Sequence, residues 1–208
     1  MDSTEERIVA AATAEFARHG IAGARVERIA KEARTSKERI YAYYRGKEAL
    51  YRHVAAQELA AIAEATRLDP QDLPEYAGRV YDYFTTHPEQ YRLMMWGQLE
   101  LPADDAADDP ADDPADDPAD DPADNPLRVS MGRKIETLRQ AQADGQLDPG
   151  WDAVDILMFV NQIAMAWAGQ SGVTPVRPET AERRAAVVAA VRRLFPPGER
   201  RQIVTGPE

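Results

Sequence analysis

The chain has 208 residues, with 25 basic and 36 acidic side chains, a formal net charge of −11 and no cysteine. Without cysteine it has no disulfide framework and no thiolate metal site, and no apolar run reaches the length of a membrane span. Its length suffices for one good core or two small ones. The acidic, amphipathic start is unlike a signal peptide, so we expect a cytoplasmic protein.

Periodic apolar positions, with capping and breaking residues between them, predict an all-α chain of about nine helices and no strands. The first helix begins at Ser3 or Thr4, where a hydroxyl caps it, and ends at Gly20. The next eight are predicted over about 26–33, 36–43, 47–68, 73–86, 88–99, 126–143, 149–169 and 178–194. The eighth is apolar nearly all round and is therefore expected to be buried on several sides.

A repeat of Asp-Asp-Pro-Ala separates the sixth and seventh helices, over residues 102–126. It holds eleven of the 36 acidic residues and no basic ones, so the remaining 25 acidic residues balance the 25 basic ones. Proline at every fourth position forbids a continuous helix and the charges repel one another, which predicts a disordered, solvated acidic loop. A calcium or magnesium site is the weaker alternative, because the glycine and bidentate glutamate of a loop site are missing. The loop repels DNA if it lies near a DNA-binding surface, or attracts a basic partner, and the sequence leaves both open.

The early part of the chain is basic although the whole is acidic. From Arg25 to Arg52 nine basic residues meet four acidic ones, a local charge of +5. Two short helices joined by a tight turn fit this stretch, and a third begins after them. A small basic helical unit on an otherwise neutral or acidic protein is typical of a DNA-binding head.

The motifs of this stretch resemble the tetracycline-repressor (TetR) family of bacterial transcription regulators. A helix ending in Gly20 is followed by a VxxIAxxA helix at 26–33, by Ser36 opening the next helix, by an Ile-Tyr-x-Tyr-Tyr core at 40–44, and by Lys-Glu-x-Leu at 47–50. The match covers about residues 4–52. Three positions depart from the family pattern: Arg34 replaces a turn glycine, Arg25 a hydroxyl cap, and Tyr44 a phenylalanine. A turn that needs a positive φ would strain Arg34 mildly.

The second short helix, about 36–43, is the expected recognition helix, with its N-terminal turn in the major groove. Thr35, Ser36, Lys37 and Arg39 are the candidates for base or nearby phosphate contact, and Arg39 can read guanine with two hydrogen bonds. By resemblance to the family, phosphate contacts fall on Tyr41, Tyr43 and Lys47. Arg25 and Arg28, at the start of the preceding helix, are expected to face the same DNA backbone. The alternative is an ordinary exposed basic face.

The resemblance also implies a C-terminal effector pocket for a bulky, largely apolar or aromatic ligand. The candidate lining residues combine aromatic, methionine and amide side chains: Tyr83, Phe84, Met94, Met95, Trp96, Gln98, Met158, Asn161, Gln162 and Met165. Each aromatic or methionine considered alone is better explained as core. Asn161 and Gln162 are more informative, because amides within an apolar helix need partners.

These observations predict a DNA-binding domain at 1–52, which we call the head, and a helical effector-binding and dimerisation domain at 53–198, which we call the body. A tail follows at 199–208. Helices 8 and 9 are expected to pair with their copies in a homodimer, since two heads can read a palindrome. The predicted function is a ligand-responsive transcriptional repressor that a small-molecule effector releases from its operator. The alternative is a helical ligand-sequestering or protein-interaction module without useful DNA binding, which the departures at Arg25 and Arg34 and the acidic loop motivate. No residue constellation for an enzyme, a cofactor or a metal site is found.

Overall fold

A computed structural model describes residues 3–100, 126–168 and 180–196, without the side chains of 126–128 and 180. Nine α-helices and no strands occupy these ranges, which confirms the all-α prediction. The helices are α1 Thr4–Gly23, α2 Val26–Glu32, α3 Lys37–Tyr43, α4 Lys47–Ala65, α5 Leu73–Thr86, α6 Pro88–Glu100, α7 Pro126–Ala143, α8 Ala153–Met165 and α9 Thr180–Leu194.

The predicted bounds hold for α5 and α7, and the largest errors are at the two ends of α8, which ends at Met165 and not at 169. The sequence predicts the start at 149, whereas the helix begins at Ala153. Asp148 accepts a hydrogen bond from the Gly150 N–H (2.8 Å), which forms a separate turn. Asp152 then caps α8 by accepting from the Val154 N–H (2.7 Å). The predicted acidic loop, the tail at 199–208 and the predicted start of the ninth helix at 178 lie outside the described residues.

Helix α1 begins and breaks where the sequence predicts. Ser3 and Glu6 form a reciprocal capping box, in which each side chain accepts from the backbone N–H of the other. Gly20 interrupts the helix with φ 69° and ψ −178°, a conformation open essentially only to glycine. A Cβ at this position would also lie 3.2 Å from ring atoms of Trp96. The break therefore depends on glycine for both its backbone conformation and its close contact with α6.

The turn between α2 and α3 confirms the expected left-handed residue. Arg34 is the one non-glycine residue with a positive φ (52°) in the described part of the chain. The turn is closed by hydrogen bonds from the Thr35 N–H to the Ala30 carbonyl (2.9 Å) and from the Arg34 N–H to the Lys31 carbonyl (3.2 Å). Arginine at the position of the family's glycine costs about 1 kcal/mol in backbone energy. These hydrogen bonds hold the turn despite that cost.

The chain divides into two compact units. The first comprises Met1–Ile62 and His87–Val129, and the second comprises Ala63–Thr86 and Ser130–Glu208. In the first unit one apolar cluster joins α1, α2, α3, the first half of α4 and α6. Its fully buried members include Ile8, Phe16, Ile29, Ile40, Leu50, Val54 and Leu93. Helix α6, the sixth along the chain, thus packs in the core of the basic helical unit.

In the second unit α5, α8 and α9 pack on one another. Buried residues of α5 and α8, such as Val80 and Val160, supply the core. Arg184 of α9 crosses to α5 and bonds Asp82 (2.8 Å) and Glu75 (2.6 Å). Gly78 leaves the space for this, since a Cβ there would lie 2.7 Å from the Arg184 guanidinium. The two carboxylates hold α9 against α5.

Within the described residues of a single chain, helix α8 is buried on one side, and burial on several sides stays a prediction for the dimer. Ile156, Leu157 and Val160 are buried, whereas Val154, Met158 and Phe159 are 39, 43 and 43% exposed. An apolar face of this kind is typical of a surface that a further partner covers. Among the described residues, no helix is both long and apolar enough to cross a membrane.

The Gly20 break yields a stability prediction. We expect Gly20→Ala to lower the free energy of unfolding by about 2–3 kcal/mol, because alanine disfavours this φ and its Cβ meets Trp96. Gly132→Ala is the matched control, since Gly132 lies in α7 and a methyl group there would meet no other atom within 4 Å. The control should gain about 0.5–1 kcal/mol from helix propensity. Urea unfolding followed by circular dichroism measures both, and equal stability of Gly20→Ala and wild type would contradict the assignment.

Candidate nucleic-acid interface

The short helix α3 is fixed at its start by its own cap. The Ser36 hydroxyl accepts from the Arg39 N–H (3.2 Å), which confirms the predicted N-cap. Ile40 is buried below the helix, while Arg39, Tyr41 and Tyr43 are exposed. The helix therefore anchors one apolar side and presents a basic and aromatic side to solvent.

The start of α2 has no side-chain cap of its own, because the residue at the cap position is Arg25. A carboxylate from α1 takes that role: Glu15 accepts from the Arg25 N–H (2.9 Å) and from the Arg28 Nε (2.7 Å). Burial raises the pKa of Glu15, but the bonds from Arg28 and from the Arg25 backbone outweigh this, and the net pKa is lowered. Glu15 thus stays ionised and holds the backbone of Arg25 and the side chain of Arg28, two of the three arginines in the predicted set.

Two predicted lysines are also held within the head. Lys47 donates to the carbonyls of Ala22 (3.1 Å) and Ala24 (3.4 Å), which ties the start of α4 to the loop before α2. Lys37 pairs with Glu27 at 2.6 Å, and this bond raises the lysine pKa and lowers the glutamate pKa. The Lys37–Glu27 pair is exposed, so salt screens it and it contributes little stability. Lys37 can exchange this partner for a phosphate at small cost.

The remaining predicted cations are unengaged. In the described part of the chain, the guanidinium groups of Arg25 and Arg39 have no hydrogen-bond or ion-pair partner, and both side chains are exposed. Tyr41 and Tyr43 are 43 and 45% exposed, and the Lys37 ammonium lies 5.6 Å from the Tyr41 ring centroid. Thr35 and Ser36 lie at the start of the same helix. Free guanidinium groups and exposed phenols beside one helix N-terminus can bind phosphates and base edges.

One departure from the family pattern has a visible consequence. Tyr44 is buried, and its hydroxyl has no hydrogen-bond partner among the residues that the structure describes. Burial raises the pKa of this phenol, which therefore stays neutral. The ring packs 5.1 Å from His53 and keeps the hydrophobic contact that phenylalanine would make. The hydroxyl contributes no bond to offset its own desolvation.

The predicted ligand residues fall in both units. Met94, Met95, Trp96 and Gln98 lie on α6 of the first unit, where Trp96 packs on Gly20. The others lie in the second unit, on α5 (Tyr83 and Phe84) and on α8 (Met158, Asn161, Gln162 and Met165).

Within the second unit these residues have different surroundings. Phe84 is buried in the core, edge-on to Tyr83 at 5.4 Å, whereas Met158 and Gln162 are exposed. Asn161 accepts a hydrogen bond from the Tyr76 hydroxyl (2.9 Å), the partner that an amide on this helix needs. Two concave surface regions, of about 700 and 560 Å³, include none of the predicted ligand residues.

Three residues that position the head are absent from the sequence-based candidates. Glu15 organises the start of α2. Tyr51 of α4 donates to the Leu93 carbonyl of α6 (2.6 Å), and Glu100 of α6 accepts from the Ala22 N–H (2.6 Å). Burial raises the pKa of Tyr51 to about 12, so its hydroxyl remains a donor. The bonds of Tyr51 and Glu100 span 42 and 78 residues, and no local spacing in the sequence indicates such pairs.

A capped recognition helix, a preceding helix locked by a carboxylate and a free basic surface define a helix-turn-helix DNA-binding protein. Family comparison agrees in both halves of the chain. Residues 8–54 match the model of the bacterial regulatory proteins of the tetR family, and residues 72–193 match the tetracyclin repressor-like C-terminal domain.

Individual relatives agree with these matches. The HTH-type transcriptional repressor SCO4008 of Streptomyces coelicolor is 36% identical over 173 residues, 80% of this chain and 79% of that protein. SCO4942 of the same organism, assigned as a transcriptional regulator, has a solved structure that is 52% identical, covers 93% of this chain and 99% of that chain, and has a TM-score of 0.77. The ketosteroid regulator KstR2 of Mycobacterium tuberculosis shares the fold, with a TM-score of 0.61 at 16% identity over 94% of this chain and 96% of that one.

The chain belongs to the TetR family of transcriptional regulators. Its function is that of a ligand-responsive, DNA-binding regulator of transcription. The relatives named above are transcriptional regulators. In the ranges that the structure describes, no group of three histidine or acidic side chains could hold a metal ion.

Alanine substitutions of Arg39, which has no partner among the described residues, and of Lys47, which has partners, should affect DNA binding differently. We expect Arg39→Ala to lower affinity for the preferred sequence by about 5–100-fold and to relax base preference, because a base-reading guanidinium is lost. Lys47→Ala should instead weaken binding to all sequences and reduce the slope of log affinity against log salt by about 1. Fluorescence anisotropy at several salt concentrations, with preferred and random duplexes, separates the two. Lys31→Ala, an exposed basic residue of α2 outside the predicted set, is the control. Equal losses for all three variants would contradict the assigned roles.

Proposed function

We propose that this protein is a homodimeric repressor in the bacterial cytoplasm that binds a palindromic operator and leaves it when a small-molecule effector binds the helical body. The observation that carries the proposal is the surface of α3, where the free Arg39 guanidinium and two exposed tyrosines lie on a capped helix. The repressor among the relatives supports the direction of regulation. The proposed DNA contacts are those predicted from the sequence, with Glu15 and Lys47 positioning the head.

The connections between the two units support effector control of DNA binding. The chain crosses between the units at Ile62–Ala63, Thr86–His87 and Val129–Ser130. The first and third crossings lie inside α4 and α7, and a continuous helix transmits displacement better than a flexible loop. An effector that favours one arrangement of the body would therefore act on α4, whose first turn belongs to the head.

Helix α6 is a second route to the head. Its main-chain carbonyl at Leu93 accepts from Tyr51, and its last residue, Glu100, bonds the Ala22 N–H. The carbonyl of the same residue, Ala22, accepts a hydrogen bond from Lys47. A shift of α6 relative to α1 would break these bonds or carry the start of α2 with it.

The exposed face of α8 supports dimerisation through α8 and α9. Val154 and Met158 lie one turn apart, and both are about two-fifths exposed. Homodimers are typical of the family, and a single small head buries too little surface for operator affinity. Two heads about 34–36 Å apart would contact successive major grooves on one side of the duplex.

A protein-interaction or ligand-sequestering role without useful DNA binding is the second candidate. The strained Arg34 and the acidic repeat favour it. Salt dependence distinguishes the two, because a working head loses affinity steeply as salt rises.

The test of the proposal is retention of genomic DNA fragments by the purified full chain at moderate salt, with sequencing of the retained fragments. We expect enrichment of one or a few palindromic sites with half-sites about one helical turn apart. Arg39→Ala is run in parallel and should lose the enrichment while the protein stays dimeric. A folded, dimeric wild-type protein that enriches no site would favour the interaction role instead.

The dimer has its own test. We expect Val154→Arg to convert the dimer to a monomer at micromolar concentration, because a charge would be buried on the apolar face of α8. Leu99→Arg places the same charge on α6 at a side chain that is 75% exposed, and should leave the dimer intact. Sedimentation velocity measures both. A dimeric Val154→Arg protein, or a monomeric Leu99→Arg protein, would place the interface elsewhere.

A further inference from the structure

Four polar side chains meet inside the second unit, from four successive parts of the chain. The Lys134 ammonium of α7 donates to the Tyr76 hydroxyl (3.2 Å) and to the Thr66 hydroxyl (3.4 Å). The Tyr76 hydroxyl of α5 donates to the amide oxygen of Asn161 on α8 (2.9 Å). Thr66 and Tyr76 are buried, whereas Lys134 and Asn161 are partly exposed.

The direction of these hydrogen bonds leaves donors unused. Because the Tyr76 oxygen accepts from Lys134, its own proton points to the amide oxygen of Asn161. The amide N–H₂ of Asn161 and the third N–H of Lys134 then have no partner among the described residues. Because both groups bond the same phenol oxygen, the side chains that carry the spare donors flank one phenol.

The positive charge at this point is not neutralised within the described ranges. Both bonded partners of Lys134 are neutral hydroxyls, and no carboxylate there forms an ion pair with it. The ammonium also lies 5.0 Å from the Tyr76 ring centroid, a favourable contact that leaves the charge in place. Burial lowers the pKa of Lys134 to about 8, which is the expected effect when no anion compensates desolvation.

We propose that Lys134, Tyr76 and Asn161 form the head-group site of the effector, and that the effector is a small organic acid bound through its carboxylate. The inference rests on the proposed function, in which the helical body takes a small molecule. One ammonium between neutral hydrogen-bonding groups matches a single negative charge, and the spare N–H donors suit the two oxygens of a carboxylate.

The neighbouring positions indicate the rest of the ligand. Val80 of α5, Leu138 of α7 and Val160 and Ala164 of α8 are buried apolar residues of the same unit. The partial exposure of Lys134 and Asn161 gives a route by which a ligand reaches the donors. An acid with an aliphatic or aromatic body therefore fits this surface better than a sugar acid or an amino acid.

The test compares ligands that share a body and differ in head group. Benzoate, octanoate and dodecanoate are titrated into the full chain without DNA, each beside the alcohol of the same body, by calorimetry and by thermal shift. We expect at least one carboxylate to bind about tenfold or more tightly than its alcohol, since a charge-assisted hydrogen bond is lost in the alcohol. Absence of binding by all three carboxylates, or equal binding of acids and alcohols, would overturn the inference.

Substitutions of Lys134 test whether the carboxylate binds at this residue. Lys134→Met keeps the length of the side chain, removes the charge and should abolish the preference for the acid. The variant should fold at least as well as wild type, because it removes a desolvated charge that has no ion-pair partner. Lys134→Gln removes the charge but keeps a donor, and provides the same comparison if the methionine variant folds poorly. Arg133→Met, an exposed neighbour on α7, carries the same charge change and should bind the acid as wild type does. Retained acid preference in both Lys134 variants would exclude the site.

A separate measurement distinguishes this inference from the proposed function. Release of a retained genomic fragment by the binding carboxylate is followed by anisotropy. Release that depends on Lys134 supports both. Carboxylate binding that leaves DNA affinity unchanged would support the Lys134 site and reject effector-controlled release. Release by an alcohol, without binding of any carboxylate, would support effector-controlled release and reject the Lys134 site.

Discussion

Two helices of seven residues each carry the proposed DNA-reading surface, and neither is long enough to be stable alone. Helix nucleation is costly, and isolated helices shorter than about 12–15 residues are marginal in water. The structure meets this constraint with one apolar cluster to which α2 and α3 contribute Ile29 and Ile40. Helices α1, α4 and α6 supply the rest, so the DNA-reading surface exists only while these longer helices are packed beneath it.

The cations of the head differ in whether they have hydrogen-bond or ion-pair partners. A local charge of +5 would repel itself if every cation were free, and the head ties down several of its cations, whereas the guanidinium groups of Arg25, Arg34 and Arg39 have no partner among the described residues. Glu15 holds Arg28, Glu27 holds Lys37, and backbone carbonyls hold Lys47. The held cations set the geometry of the loop and of the helix starts. Arg25 and Arg39 are left with side chains free to meet an anionic surface.

Local chemistry makes much of the fold predictable. The Ser3 and Ser36 caps, the break at Gly20 and the left-handed turn at Arg34 each depend on a few adjacent residues, and the sequence alone indicates them. The predicted start of α8 is wrong because the apolar pattern continues through the turn at Asp148, which a side-chain hydrogen bond closes. The links from Tyr51 to Leu93 and from Glu100 to Ala22 join residues distant in sequence. Only tertiary packing brings such pairs together, so no motif indicates them.

The C-terminal half of the chain shows why residue type alone is a weak guide to a site. Methionines and aromatics draw attention to α5, α6 and α8, yet Phe84 belongs to the core and Trp96 packs on Gly20. A comparison of two cations of the second unit is more informative. Arg184 is held by Glu75 and Asp82 and serves to fasten α9 to α5. Lys134 has two neutral hydroxyl partners and a lowered pKa. An apolar side chain of the same length would avoid its desolvation cost. The ion pairs account for the place of the arginine but have no counterpart at the lysine, and a cation without a carboxylate partner is what the proposed anion site requires.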